Sequence, residues 1–247
     1  MSEARRLTSQ PCFVLHAQPY LETSLLLDVF SKHWGRVSIV ARGARRPRSA
    51  LRGVLLEFQP VLLDWFGKGE IKTLARAEWL GGIPLLKGEA LMCGYYLNEL
   101  LIRLLQREDP HERVYEAYHS VLERLSAGSR LTAALRSFVR SLLAELGYAL
   151  SLTSDAATGR PLMPNEQYAY LAERGPILLE SPDTNQADQW PDRTVLAGQT
   201  LLNIAADEYP DARTLSEAKM LMRMLINRQL ADRSLRSRRV FKELLDL

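Results

Sequence analysis

Cysteine is nearly absent: Cys12 and Cys93 are the only two in 247 residues, and no CxxC pair occurs. Neither a disulfide framework nor a thiolate zinc site can organise such a chain, and both thiols are expected to be buried. Long apolar runs are missing as well. No stretch approaches the roughly 18 consecutive apolar residues of a membrane-spanning helix, and MSEARRLTSQP at the start has no run of signal-peptide length. A cytoplasmic protein with no membrane partner is expected. Histidine is scarce at four. His111-Glu112 opens like a zincin motif, but Tyr115 stands where the second histidine belongs, and His119 is too far along to replace it. The chain has no GxxxxGK[ST] loop, no GxGxxG after a strand and no GxSxG elbow. Together these gaps favour a binding protein over an enzyme, with no cofactor and no metal.

What is present is an ordinary globular composition, 47% hydrophobic and 25% charged, with a net charge of +3. That charge is unevenly spread. Residues 1–80 carry +5, residues 81–210 carry −6 and residues 211–247 carry +4. Basic ends around an acidic middle suit a polyanionic partner, although solvated arginine faces would give the same balance.

From Cys12 to Trp79 the apolar residues fall in short runs separated by turn formers, which predicts five strands over 12–18, 23–31, 36–42, 54–66 and 70–79. In the third, Val37, Ile39 and Ala41 share one face while Arg36, Ser38 and Arg42 share the other. Pro60 cannot donate to a ladder, so the fourth strand is expected to bend there, and Gly67-Lys68-Gly69 supplies a hairpin. Five short antiparallel strands fit a small barrel, an OB-fold or an SH3-like one. After the third strand come Arg42, Arg45, Arg46, Arg48 and Arg52, five arginines in eleven residues, with Pro47 against a regular helix. Such a mobile cationic loop suits phosphates. Lys68 and Lys72 extend the basic set. Tyr20, Trp34 and Phe66 are candidate base-stacking platforms, although packing in the barrel core or a hairpin is the stronger expectation for most of them.

Gly81-Gly82-Ile83-Pro84 marks the expected boundary between domains 1–80 and 81–247. Leucine spacing predicts helices over 85–107, from Pro110 to Leu125, and over 131–146, with further helices over 198–207, 212–230 and 235–245. Between them, 151–197 holds five prolines and reads as a loop-rich, irregular insertion containing one hairpin in 168–180.

ETSLLLDVF (22–30), GRV (35–37), ARGAR (41–45), GEIKTL (69–74), YLNELL (96–101) and LGY (146–148), in this order, resemble the RecO family of bacterial recombination mediators. The resemblance implies an N-terminal five-stranded OB-fold, a mainly α-helical C-terminal domain, and a nucleoid-associated location in a bacterial cytoplasm. It also implies binding to single- and double-stranded DNA, strand annealing, and work with RecR to load RecA onto DNA coated by single-strand binding protein. Many members hold zinc on two CxxC pairs in the helical domain. Here the equivalent region, around Thr153-Ser154-Asp155 and Thr158-Gly159, has no cysteine, so no zinc is expected.

The resemblance further implies a contact with the acidic, phenylalanine-ending tail of single-strand binding protein. Arg136 and Arg140, four apart on one predicted helix, with Leu143 continuing that face, are the candidates. A non-catalytic adaptor whose basic loops meet acidic proteins is the alternative reading. A nucleic-acid-modifying enzyme is a second.

Overall fold

The computed structural model describes residues 6–128, 130–148, 150–179, 193–230, 235 and 237. They form two compact units, one reaching Leu131 and including Leu235 and Ser237, the other spanning Thr132 to Leu230.

The first unit is built on five strands: β1 (Arg6–Tyr20), β2 (Ser24–Ser31), β3 (Gly35–Ala41), β4 (Pro60–Phe66) and β5 (Ile71–Trp79). β1 is long enough to pair twice, with β4 through its first half and with β2 through its second. The ladders run β1-β2-β3-β5-β4 and return to β1. Alternation sets the faces: Leu27, Val29, Val37, Ile39, Val61, Leu63 and Trp65 point into a shared core with Cys12 and Val14. After β3 the chain crosses over through the short helix α1 (Leu51–Val54), so β4 starts beside β1 and β5 returns to meet β3 in the same direction.

Two helices complete this unit, α2 (Gly88–Leu104) and α3 (Glu112–Ser126). Leu97, Leu100 and Leu101 are buried along one side of α2, and Asn98 donates its Nδ2 to the Leu15 carbonyl at 2.7 Å. Phe13 and Phe30 point outward from β1 and β2 and meet Tyr115 and Tyr118 of α3 at ring separations of 5.1–6.4 Å.

The second unit holds α4 (Leu131–Glu145), a sheet in the order β7-β6-β8, and two further helices. Its strands are β6 (Gln167–Leu171), β7 (Gly175–Leu178) and β8 (Arg193–Ala197), and its last helices are α5 (Gly198–Ala205) and α6 (Ala212–Gln229). Asp211 caps α6, accepting from the Thr214 amide at 2.7 Å.

The expected OB-fold with five antiparallel strands, followed by a mainly helical domain with an irregular insertion, is corrected on three points. The five-stranded sheet is mixed, because β3 and β5 run parallel through Ser38–Ile71, Ile39–Lys72 and Val40–Thr73. The expected fourth strand over 54–66 begins only at Pro60; Val54 ends α1, and Phe58, at φ 65°, is buried with its ring 5.2 Å from that of Tyr95. Among its described residues the insertion is not irregular: the expected hairpin in 168–180 is β6–β7, and β8 joins it in a three-stranded antiparallel sheet, with Tyr168, Ala169 and Tyr170 buried and paired on both sides. The predicted helix over 235–245 lies outside the described residues apart from Leu235 and Ser237. Cys12 and Cys93 are both buried, and neither is in a disulfide.

Candidate nucleic-acid interface

The loop after β3 is pinned at its base and open at its tip. Ala44 is fully buried and joins the core of the sheet, so the chain cannot lift away at that point. The Arg45 amide donates to the Thr23 carbonyl at 2.8 Å, and successive turns follow from Arg46 to Gly43 (3.1 Å) and from Ser49 to Arg46 (3.0 Å). The turn between β1 and β2 is tied to the same loop, because Arg45 Nη1 donates to the carbonyls of Leu21 and Glu22. Arg42, Arg45, Arg46, Arg48 and Arg52 are all exposed. Fixed backbone with five exposed guanidinium groups can engage several phosphates at once.

The two lysines of the predicted set differ from each other. Lys68 is exposed on the β4–β5 hairpin. Lys72 is engaged: its Nζ lies 2.7 Å from Glu108 Oε1 and donates to the Gly69 carbonyl at 2.8 Å. Of the predicted stacking residues, Tyr20 and Phe66 are exposed at 36% and 39%. Trp34 is partly buried against the core and donates its Nε1 to Gln10 Oε1 at 3.1 Å.

Sequence reasoning missed what covers part of the outer sheet face. Arg36 sits 3.4 Å from Asp28 and donates to the Ile102 carbonyl, while Arg107 lies 3.8 Å from Asp28 and donates to Ser38 Oγ. The Glu108 amide donates to the Arg36 carbonyl at 2.9 Å. The connection between α2 and α3 therefore lies over the lower part of β2 and β3. A polar alternation in β3 signals an outward Arg36; nothing local signals a partner about 70 residues away.

In the second unit, Arg136 is buried, Arg140 is half-buried, and Leu143 is fully buried in the helix's core stripe. Arg140 Nε stands 3.4 Å from Asp207 Oδ1. Burial pushes the Tyr209 hydroxyl well above its usual range and Asp207 adds to this, while Arg140 and Arg136 oppose it. The two predicted arginines thus share one neighbourhood with an acid and a tyrosine. Among the described residues there is no group of three or more His, Cys, Asp and Glu side chains that could hold a metal ion. No described helix is long and apolar enough to cross a membrane.

Two family models account for the chain, "Recombination protein O N terminal" over residues 1–83 and "Recombination protein O C terminal" over residues 85–239. The class they define is that of recombination and DNA-repair proteins. The DNA repair protein RecO of Aromatoleum aromaticum is 50% identical over 247 residues, covering the whole of both chains. Those of an Azoarcus species and of Dechloromonas aromatica are each 48% identical over their full lengths. The chain belongs to the RecO family.

Proposed function

We propose that this RecO-family chain binds both single- and double-stranded DNA through the arginine loop of residues 42–52, helped by Lys68 and Lys72, and promotes annealing of complementary strands. With RecR it helps load RecA onto DNA coated by single-strand binding protein. Residues 1–80 act as the DNA-binding part and 81–247 as the part that meets protein partners. The acidic tail of single-strand binding protein is received at Arg136 and Arg140, beside Leu143, where its carboxylates compete with Asp207 for the Arg140 guanidinium.

The observation that carries this reading is the exposure of five arginines on one loop whose backbone is held by Ala44 and by turn hydrogen bonds. Phosphates need cations in a fixed but open arrangement, and such contacts are indifferent to sequence. An annealing assay with complementary oligonucleotides tests it. The protein should speed annealing of bare strands and of strands coated with single-strand binding protein. Replacing Arg136 and Arg140 with Ala should slow only the coated reaction, by about tenfold or more, since charge-assisted pairs contribute roughly 1.5–3 kcal/mol. No acceleration on bare strands would contradict the reading and favour the adaptor.

A further inference from the structure

The α5–α6 connection carries Asp207-Glu208-Tyr209, two acids followed by an aromatic ring, and this short stretch meets the two arginines of α4. Its backbone is held at both ends. The Asp207 amide donates to the Ile204 carbonyl at 3.1 Å and the Glu208 amide to the Asn203 carbonyl at 2.8 Å, while Asp211 caps α6 just beyond. Asp207 itself sits at φ +59°, a left-handed conformation that aspartate, asparagine and glycine tolerate best. A fixed connection thus delivers the Asp207 carboxylate to Arg140.

The contact it makes there is weak. Arg140 Nε stands 3.4 Å from Asp207 Oδ1 without completing a hydrogen bond, and the buried Tyr209 hydroxyl completes none among the described residues, although Asp207, Arg140 and Arg136 all act on it electrostatically. The Arg140 and Asp207 side chains keep 31% and 36% of their surface in solvent. A half-exposed pair of imperfect geometry contributes little and is screened by salt. Buried polar atoms without a partner are in turn stabilised by a ligand that supplies one. An acidic peptide with an aromatic end brings carboxylate oxygens for the guanidinium groups and a ring to pack beside them.

We infer that Asp207, with Tyr209 beside it, is an internal competitor at this site: the chain's own acidic and aromatic stretch occupies in cis the place that the acidic tail of single-strand binding protein takes in trans, and so sets how readily the tail binds. This rests on the tail-binding reading above and adds its regulation. Binding exchanges one carboxylate for another on Arg140. The connection stays in place, and only a side chain turns away.

The test is a fluorescence anisotropy titration of a labelled aspartate-rich peptide ending in phenylalanine, on the full chain, on the Asp207→Asn, Asp207→Gly, Glu208→Gln and Arg140→Ala variants, and on the Asp207→Asn, Arg140→Ala double variant. Asparagine and glycine both keep the left-handed backbone, and unchanged thermal melting confirms folding. Each Asp207 variant should bind the peptide about two- to fivefold more tightly at low salt, the range a half-exposed ion pair supports, with the gain fading as salt rises. Glu208→Gln removes the same charge one residue away and should leave affinity nearly unchanged. In the Arg140→Ala background Asp207→Asn should gain nothing, because the contested guanidinium is gone. Peptide affinity that Arg140→Ala weakens but neither Asp207 variant raises, or an equal gain in Glu208→Gln, would overturn the inference while leaving the tail site standing. A wild-type chain that does not bind the peptide, or an Arg140→Ala chain that binds it as the wild type does, would overturn both.

Discussion

A buried carboxylate is stable only where donors converge on it, and at Asp155 four do. Its Oδ1 accepts from the Ala157 amide (2.9 Å), the Thr158 amide (2.7 Å) and Thr158 Oγ1 (2.9 Å), and its Oδ2 accepts from the Leu178 amide of β7 at 2.7 Å. Burial alone would raise its pKa, but these donors together hold it below the usual carboxylate range. The segment in which other family members place metal-binding cysteines is here organised around one carboxylate. Asp155→Ala strands three amides and a hydroxyl and should destabilise the protein by about 2–4 kcal/mol in denaturant titration. Because the folded pKa is depressed, the stability Asp155 contributes is complete above the unfolded aspartate value of about 3.9 and is lost as pH falls through the lower folded value. The gap in stability between the wild type and Asp155→Asn should therefore be constant near neutrality and narrow only on acidification below about pH 4. A gap that narrows on raising the pH would contradict this, as would a melting point that drops on chelation.

At the scale of elements, the α2–α3 connection seats on the sheet because Gly35 has no side chain. Its φ is +62°, and a Cβ there would stand 2.0 Å from the Asp109 carbonyl oxygen, which belongs to backbone and cannot rotate aside. Gly35→Ala should cost about 2–4 kcal/mol through collision and backbone strain together. Hydrogen exchange at the Glu108 amide, which donates to the Arg36 carbonyl, should accelerate with it. Wild-type exchange in that variant would show that the connection is held elsewhere.

The elements also show where sequence pattern suffices. Alternation in 36–42 and leucine spacing in 131–146 are local signals, and β3 and α4 follow them closely. The fourth run failed because Leu55 and Phe58 are buried from a non-strand backbone, which a run of apolar residues cannot reveal. Of the second sheet the β6–β7 hairpin was legible in 168–180, and only its third strand was hidden: β8 pairs with β6 across a polar, proline-bearing stretch, and such non-local pairing leaves no periodic trace. Within the candidate site the exposed arginines were legible from their density. The engagement of Lys72 by Glu108 and the burial of Arg136 were not, because each depends on residues distant in the chain.

For the whole molecule, a net charge of only +3 understates the local positive charge, since +5 is concentrated in the first 80 residues and five cations fall within residues 42–52. Local cation density, not net charge, sets the number of counterions released from DNA. The most direct measurement of that claim is the slope of log affinity against log salt for single-stranded DNA, compared between the wild type and the Arg45→Glu, Arg46→Glu, Arg48→Glu triple variant. Each phosphate contact contributes about 0.7–0.9 to the slope, so losing three should lower its magnitude by about 2–3, with affinity falling equally across sequences and the fold unchanged by circular dichroism. An unchanged slope in a folded triple variant would place the DNA on another surface, with the sequence-adjacent Arg233, Arg236, Arg238 and Arg239 next to be replaced, and would contradict the assignment of the 42–52 loop.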